Sequence, residues 1–284
     1  MATLARSLRS PRVLVALVMI LCILCCAIFA GLIAPNDPGD QNLLSILVPP
    51  AWSPGGDQAF PLGTDSLGRD VLSRLIYGTR TAMLVAFFAS LGAMIIGTVL
   101  AHISGYFGGT VDWIIGRLVD VWMSFPPVIL SLILMVGLGV GLDRVILAII
   151  LVDWTRFCRV LRSEVLIVTR HDYVAAARLL GFTHWQAIVR EVLPATLPLL
   201  ITLMSLEMAI AVIVEAILSF VGLGVGANQP AWGQMIADAR QYVYQSPWNL
   251  LLPALAILFT VTAFNLLGDG LRRTLDVRIS ESGR

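Results

Sequence analysis

The sequence of 284 residues contains no lysine, because all 19 of its basic residues are arginine. The phosphate-binding loop of P-loop ATPases needs a lysine that reaches the β- and γ-phosphates of the nucleotide. That loop is therefore excluded, and so is chemistry in which a lysine forms a Schiff base or acts as a general base.

Charge of either sign is also scarce. Only 13% of the residues are charged and 58% are hydrophobic, whereas a soluble domain carries about 25% charged residues. Apolar runs of about 20 residues, long enough to cross a bilayer, recur along the chain. We predict an all-α, polytopic membrane protein with six transmembrane helices. The predicted crossings are 13–34, 81–105, 113–140, 144–165, 196–224 and 250–271. The third should kink at "SFPPV", which contains two prolines.

Cysteine and histidine are few and do not converge. Cys22, Cys25 and Cys26 lie inside an apolar run with no neighbouring histidine or acid, and Cys158 stands alone. Free cysteines usually behave as small apolar residues. We predict neither a disulfide framework nor a metal site, and we assign no catalytic residue.

The arginines are distributed unevenly between the predicted connections. If the N-terminus is cytoplasmic, fourteen of the 19 arginines lie on the cytoplasmic side and five outside. Because positive charge favours the cytoplasmic side, both termini are predicted to be cytoplasmic. The first apolar run spans about 22 residues and exceeds the roughly 7–15 of a signal peptide. We therefore predict a retained membrane helix.

One arginine-bearing segment stands out on the predicted cytoplasmic side. Residues 172–194 read "DYVAAARLLGFTHWQAIVREVLP". Asp172 is expected to cap a short helix that Gly181 ends in the left-handed conformation. A capping box that begins at Thr183 opens a second helix, which is predicted to close at Pro194.

Helices this short are marginal in water, so another surface must pack on them. One interpretation is an amphipathic pair lying on the inner leaflet. A DNA-binding helix-turn-helix fits poorly between two membrane helices. A docking element for a cytoplasmic partner is the third interpretation, since Ala175, Ala176 and Ala177 leave a face that another surface can approach closely. The apolar contacts would come from Leu179, Leu180, Phe182 and Trp185.

The same segment resembles the coupling motif of binding-protein-dependent ABC importer permeases, which reads EAA, three residues, G, nine residues, I-x-LP. The motif's Glu is Ala175 here, and its Ile is Glu191. The resemblance implies that the segment couples the membrane helices to an ATPase. The implied coupling residues are Ala175, Ala176, Ala177, Gly181, Leu193 and Pro194.

The resemblance extends from residue 32 to residue 278. Fragments such as "PLGTDSLGRDVLSRLIYGTR", "EAILSFVGLGV" and "AFNLLGDGLRRTLDVR" are similar to the permeases of dipeptide, oligopeptide and nickel importers. They are most similar to the second (DppC/OppC-like) permease subunit. The implied fold is that of type I ABC importer permeases. The implied organisation is an N-terminal helix and extracytoplasmic loop (1–80), a core (81–271) with a coupling loop (166–195), and a cytoplasmic tail (272–284).

The resemblance also implies function and partners. The chain would form half of a pathway for di- or oligopeptides across the bacterial cytoplasmic (inner) membrane. It would be a non-catalytic subunit, embedded in membrane lipid, without a cofactor of its own and without a nucleic-acid partner. A sister permease, two cytoplasmic ABC ATPases that bind ATP and Mg²⁺, and an extracytoplasmic solute-binding protein would complete the importer. The missing lysine agrees with energy supplied by such ATPases.

Other functions remain open at this point. A nickel or other small-solute permease of the same class is the alternative. A stand-alone secondary transporter is disfavoured because the sequence shows no acids paired across internal repeats. A membrane-embedded enzyme is disfavoured because no histidine, serine or metal-ligand set converges.

Two acids lie in the predicted fifth helix, Glu207 and Glu215. Intramembrane acids usually face the bundle interior or a water-filled path. They are predicted to line the translocation pathway, where they would meet a peptide amino group or a metal cation; an internal hydrogen bond is the alternative. Asp65, Arg69 and Asp70 are interpreted instead as a turn and helix start stabilised by an ion pair.

Overall fold

The computed structural model describes residues 11–226 and 229–281, and the side chains of the last helix only as far as Arg272. The arginines before Pro11 and nearly all side chains of the predicted tail, 272–284, therefore lie outside the described residues.

The described part of the chain is built from helices and contains no β-strand, only an isolated antiparallel bridge between Thr64 and Asp70. The helices are α1 (Pro11–Ile28), α2 (Ala30–Ile33), α3 (Val71–Phe107), α4 (Gly109–Met123), α5 (Pro127–Leu138), α6 (Leu142–Val168), α7 (Asp172–Leu179), α8 (His184–Ala187), α9 (Leu193–Phe220), α10 (Trp232–Ala239) and α11 (Trp248–Glu281). A π-helical turn, Ile188–Val192, joins α8 to α9, and a 3₁₀ turn, Arg240–Tyr242, follows α10.

Several helices have the length and composition of membrane spans. Four spans qualify individually: α1, α3, the continuous stretch His184–Phe220, and α11 as far as Arg272. The pair α4 and α5, bent by 86°, adds a fifth if it forms one span. The predicted kink at the two prolines is confirmed, since Pro126 and Pro127 stand where α5 begins and proline disfavours a helical residue before it.

Helix α6 differs from these spans in composition. Its 27 residues extend about 40 Å, which is long enough to cross a bilayer. It carries seven charged residues, however, and most of them lie in its second half. Length therefore allows α6 to cross, while its charges need partners inside the protein.

Helices α3 and α6 pack closely along their lengths. A Cβ atom added at Gly97 would lie 2.9 Å from the backbone nitrogen of Cys158, so only glycine permits this approach. Small side chains at a helix interface let two backbones come together. The buried small residues of α3 include Ala82, Ala86, Ala89, Ala93 and Ala101.

Helix α3 begins earlier than the predicted crossing because Asp70 caps it. The Asp70 carboxylate accepts a hydrogen bond from the Ser73 backbone N–H at 3.0 Å. The predicted ion pair is also present, with 2.6 Å between Arg69 Nε and Asp65 Oδ2. The interpretation of this stretch as a turn and a helix start is confirmed.

The same ion pair belongs to a larger cluster, which we call the loop network: Asp65, Arg69, Arg74, Asp238 and Asn249. Arg69 Nη2 lies 3.0 Å from Asp238 Oδ2, and Arg74 Nε lies 3.6 Å from Asp65 Oδ2. Asn249 Nδ2 donates to the backbone carbonyl of Thr64 at 2.9 Å. The loop before α3 is thus bound to α10 by an ion pair and to the start of α11 by a hydrogen bond.

Candidate functional site

The segment between α6 and α9, residues 172–194, folds as a helix, a glycine turn and a second helix. Gly181 has a φ of 94° and follows the last residues of α7. The Phe182 N–H donates to the Ala177 carbonyl and the Gly181 N–H to the Arg178 carbonyl, each at 3.1 Å. This pair of bonds is the Schellman motif. The predicted left-handed helix end at Gly181 is confirmed.

The start of α8 also follows the prediction, whereas the start of α7 does not. The Gln186 N–H donates to Thr183 Oγ1 at 3.2 Å, and the Thr183 N–H donates to Gln186 Oε1 at 2.8 Å. His171, without a side-chain hydrogen bond, caps α7. Asp172 is instead the first helical residue, where its negative charge favours the helix N-terminus.

The predicted helix end at Pro194 is wrong. The chain passes from α8 through the π-helical turn Ile188–Val192 directly into α9, with Pro194 in its first turn. A proline within a helix removes one hydrogen bond and crowds the carbonyl four residues earlier. We attribute its tolerance here to the wider π turn. The second half of the segment is therefore the start of the long helix α9.

One face of the segment packs on the membrane helices. Its side chains meet Val165 and Val168 of α6 and Tyr106 near the end of α3. His184 Nδ1 lies 3.3 Å from the Tyr106 hydroxyl, so α8 also contacts α3 through a polar pair. The buried residues of the segment are Val174, Ala177, Ala187, Ile188 and Val192.

The opposite face is uncovered. Leu179 is 90% exposed and Leu180 is 82% exposed, and Tyr173 and Ala176 are exposed beside them. We call these four residues the apolar patch. Partial burial and the nearby Glu191 carboxylate raise the pKa of Tyr173 above its ordinary value. Contiguous exposed apolar side chains mark sites of contact with another protein or with a membrane.

The remaining predicted coupling residues occupy different positions. Ala175 is exposed on α7, close to the apolar patch, and Pro194 is exposed at the start of α9. Leu193 is half-buried, and Ala177 is buried against the membrane helices. Only part of the motif therefore faces outward, and the rest anchors the segment.

The two predicted pathway acids both lie on α9 and are both buried. Glu215 is 1% exposed and accepts a hydrogen bond from Ser219 Oγ at 2.6 Å, in keeping with the alternative of an internal hydrogen bond. Glu207 is 6% exposed and faces α6, where Arg156 Nη1 lies 3.5 Å from its Oε2. The two acids thus have different surroundings.

Sequence reasoning missed the partners of Glu207. Arg156 also approaches Asp153 on its own helix, with 3.8 Å between Nε and Oδ1. The available signal was an acid and an arginine three residues apart inside an otherwise apolar run. Residues at this spacing lie on one helix face.

Fold and site together define a polytopic, all-helical membrane protein with an uncovered surface of the kind that contacts another protein. Residues 93–281 match the family described as binding-protein-dependent transport system inner membrane component. Residues 3–50 match the N-terminal transmembrane domain of oligopeptide transport permease C.

Whole-length relatives agree with these matches. The chain is 40% identical to the dipeptide transport system permease protein DppC of Escherichia coli, over 96% of this chain and 91% of the relative. It is 38% identical to DppC of Haemophilus influenzae, over 94% and 91%. The glutathione transport system permease protein GsiD of Pectobacterium atrosepticum is 37% identical, over 79% and 75%. The chain belongs to the family of binding-protein-dependent transport system inner membrane components, and it is a permease subunit.

Proposed function

We propose that this chain forms half of the translocation pathway of an ATP-driven importer for di- or oligopeptides in the bacterial inner membrane. The observation that carries the proposal is the apolar patch on a segment continuous with α9. The names of the dipeptide permeases to which the chain is similar suggest the solute.

Six crossings follow if α6 spans the membrane beside the five other spans. The three arginines in its second half, Arg156, Arg159 and Arg162, each have a carboxylate partner in the chain, which supports this placement. Arg162 forms an ion pair with Asp112 of α4, and Arg159 Nη2 lies 2.7 Å from Asp120 Oδ1. The uneven distribution of arginines along the sequence then supports the proposal that both termini are cytoplasmic.

The apolar patch fits a cytoplasmic ATPase as its partner. A patch at the turn between two helices can enter a groove on a soluble protein, and the absence of lysine means that the chain itself lacks a P-loop. An ATPase dimer that binds one conformation more tightly would shift the population between inward-open and outward-open states. The π-helical turn and α9 would carry the movement to Glu207.

The proposed assembly pairs this chain with a related sister permease. Two ATPases would bind ATP and Mg²⁺ below the membrane, and an extracytoplasmic binding protein would deliver the solute. Glu207 is proposed to line the pathway; Glu215 is proposed to do so only if its carboxyl leaves Ser219 during the transport cycle.

Cross-linking tests the docking surface. A photo-reactive amino acid at Ala176 should capture an ATPase subunit in cells, because Ala176 lies within the apolar patch. The matched control is the same amino acid at Ala51, which is exposed in the loop before α3. Equal capture from both positions, or none from Ala176, would contradict the proposal.

Uptake tests the solute. Cells with this gene should accumulate labelled dialanine, and cells without it should not. Labelled nickel is the contrasting solute, since a nickel permease of the same class is the alternative. Accumulation of nickel, with no change in dialanine uptake, would show that the transported solute is nickel and not a peptide.

A further inference from the structure

A small cavity lies at the break between α4 and α5. Its volume is about 40 Å³, which exceeds the roughly 10–15 Å³ that one water-sized group needs. Trp122, Phe125 and Pro127 line it from the bend, and Asp153 and Arg156 line it from α6. The cavity therefore combines aromatic rings with a carboxylate and a guanidinium.

Glu207 does not line the cavity but pairs with Arg156, which does, so the two acids and the arginine form one cluster, and its charges are not balanced. Asp153 is 4% exposed and Glu207 is 6% exposed, and both carboxylates pair with the single guanidinium of Arg156. With both acids ionised, the cluster carries one net negative charge. An uncompensated charge removed from water is costly, so the cluster takes up either a proton or a second cation.

The contacts to Arg156 are also loose. Its nitrogens lie 3.8 Å from Asp153 Oδ1 and 3.5 Å from Glu207 Oε2, beyond the usual range of 2.7–2.9 Å for a charge-assisted hydrogen bond. Within the described residues Glu207 Oε2 has no hydrogen-bond partner of good geometry, only the 3.5 Å contact to Arg156. A buried carboxylate oxygen that accepts no hydrogen bond can accept one from another N–H group.

The aromatic residues define the kind of cation. The Trp122 indole N–H donates to the Leu151 carbonyl at 2.5 Å, which fixes the ring. Organic ammonium groups bind on the faces of Trp and Phe rings. The described residues contain no group of three or more His, Cys, Asp or Glu that could hold a metal ion. The chemistry is that of an ammonium site.

Access to the cluster comes through Arg156. Its side chain is 32% exposed, whereas Asp153 and Glu207 are buried behind it. A charged side chain at the depth of a membrane helix normally faces a water-filled cavity or a partner. The exposed side of Arg156 is therefore where a solute would arrive.

We propose that Asp153, Glu207, Arg156 and the cavity at the α4–α5 bend form a subsite for the primary ammonium group at the amino terminus of the transported peptide. The proposal rests on the proposed peptide-permease function. The entering ammonium neutralises the cluster, and Arg156 moves aside because its two contacts are weak. The subsite recognises a free amino terminus and is indifferent to the peptide's side chains.

Equilibrium binding of labelled dialanine to the complex purified through this chain, without the binding protein, tests the subsite directly. Unlabelled dialanine should compete, N-acetyl-dialanine should compete at least about tenfold more weakly, and nickel chloride should not compete. Acetylation removes the positive charge and keeps the rest of the peptide.

Two variants locate the site. Asp153→Asn and Glu207→Gln should each weaken dialanine binding about tenfold, which corresponds to about 1.4 kcal/mol, while leaving the weak N-acetyl-dialanine binding unchanged. Asp143→Asn is the matched control, because Asp143 is exposed at the start of α6. ATP hydrolysis by the complex shows that each variant is folded and assembled.

Three results would overturn the subsite: equal competition by both peptides, unchanged binding in both variants, or no measurable binding to the wild-type complex. None of these depends on uptake by cells. If cells take up dialanine but the complex fails this test, the subsite is wrong and the peptide-permease function stands. If cells take up no peptide, the function itself is wrong.

Discussion

The loop network and the helix–glycine–helix segment differ in how their groups are satisfied. In the loop network, Arg74 is 2% exposed and the Arg69 side chain 7% exposed, and its charges meet partners from the same chain. In the segment, Leu179 and Leu180 are 90% and 82% exposed. One region pairs its charges within its own chain, although Arg74 Nη2 and Asn249 Oδ1 have no hydrogen-bond partner among the described residues. The other offers apolar surface that no described part of the chain covers.

This difference predicts which property a substitution changes, the stability of the fold or the binding of a partner. Removing a member of the loop network leaves a charge buried without its partner, which lowers the stability of the fold. Removing an exposed side chain of the segment leaves the fold intact and changes only what binds there. Stability and assembly can therefore be separated by position.

The largest loss of stability is expected from Asp65→Ala. The Asp65 carboxylate lies between Arg69 and Arg74, so its loss leaves Arg69 with Asp238 alone and the buried Arg74 guanidinium without its carboxylate. Removing one partner of a buried pair costs about 3 kcal/mol or more. Heat unfolding of the purified protein should begin several degrees lower, and its amount in the membrane should fall. Asp57→Ala, at an exposed loop position, is the control. Equal unfolding temperatures would show that the network does not stabilise the fold.

A smaller loss of stability, with a large loss of uptake, is expected from Gly181→Val. A β-branched residue is strained at a φ of 94°, at a cost of about 1–2 kcal/mol. The angle between α7 and α8 would change, so the ATPases should still hydrolyse ATP while peptide uptake falls. Gly181→Asn is the control, because asparagine tolerates the left-handed conformation. Normal uptake by the valine variant would show that the segment takes no part in coupling ATP hydrolysis to uptake.

A local loss of about 1 kcal/mol is expected from Thr183→Ala, which removes the side-chain cap of α8. Hydrogen exchange should speed up at the Gln186 amide, which donates to the Thr183 hydroxyl. Global unfolding should change little. Thr110→Ala, at an exposed position in α4, provides the comparison. Unchanged exchange at Gln186 would mean that the cap contributes nothing to local stability.

The smallest effect on stability is expected from Leu179→Ser. Because the side chain is 90% exposed, the free energy of unfolding should change by no more than about 0.5 kcal/mol. The amount of ATPase that copurifies should nevertheless fall. Leu44→Ser, at a 98% exposed position in the loop before α3, should alter neither property. Equal ATPase recovery from both variants would contradict docking at the apolar patch.

Local backbone conformation could be predicted from the sequence wherever a single side chain determines it. The capping box at Thr183 and the left-handed Gly181 depend on hydrogen bonds and sterics within six residues. Long apolar runs located the four spans that qualify individually, since composition identifies them. These features need no knowledge of the surrounding fold. The predicted fourth crossing, 144–165, falls on α6, whose charges set it apart, and it stays a prediction.

Features that depend on contacts with neighbouring helices could not be predicted from the sequence. Pro194 was predicted to end a helix, and only the π-helical turn before it shows why the helix continues. The pairing of Glu207 with Arg156 and Asp153 requires the packing of α9 on α6, which no local pattern encodes. The early start of α3 depends on an Asp70 cap embedded in the loop network.

The π-helical turn Ile188–Val192 has a consequence for insertions and deletions. Such a turn holds one residue more than an α-helical turn, and each α-helical residue turns the chain by about 100°. Because the turn already absorbs one extra residue, deleting a residue there would let the helix run straight while Glu207 keeps nearly its present direction; deleting a residue from the α-helical part of α9 before Glu207 would instead rotate it by about 100°. Loss of one codon within the π turn should therefore be tolerated, whereas loss of one codon between the start of α9 and Glu207 would aim the carboxylate away from α6 while keeping every helix.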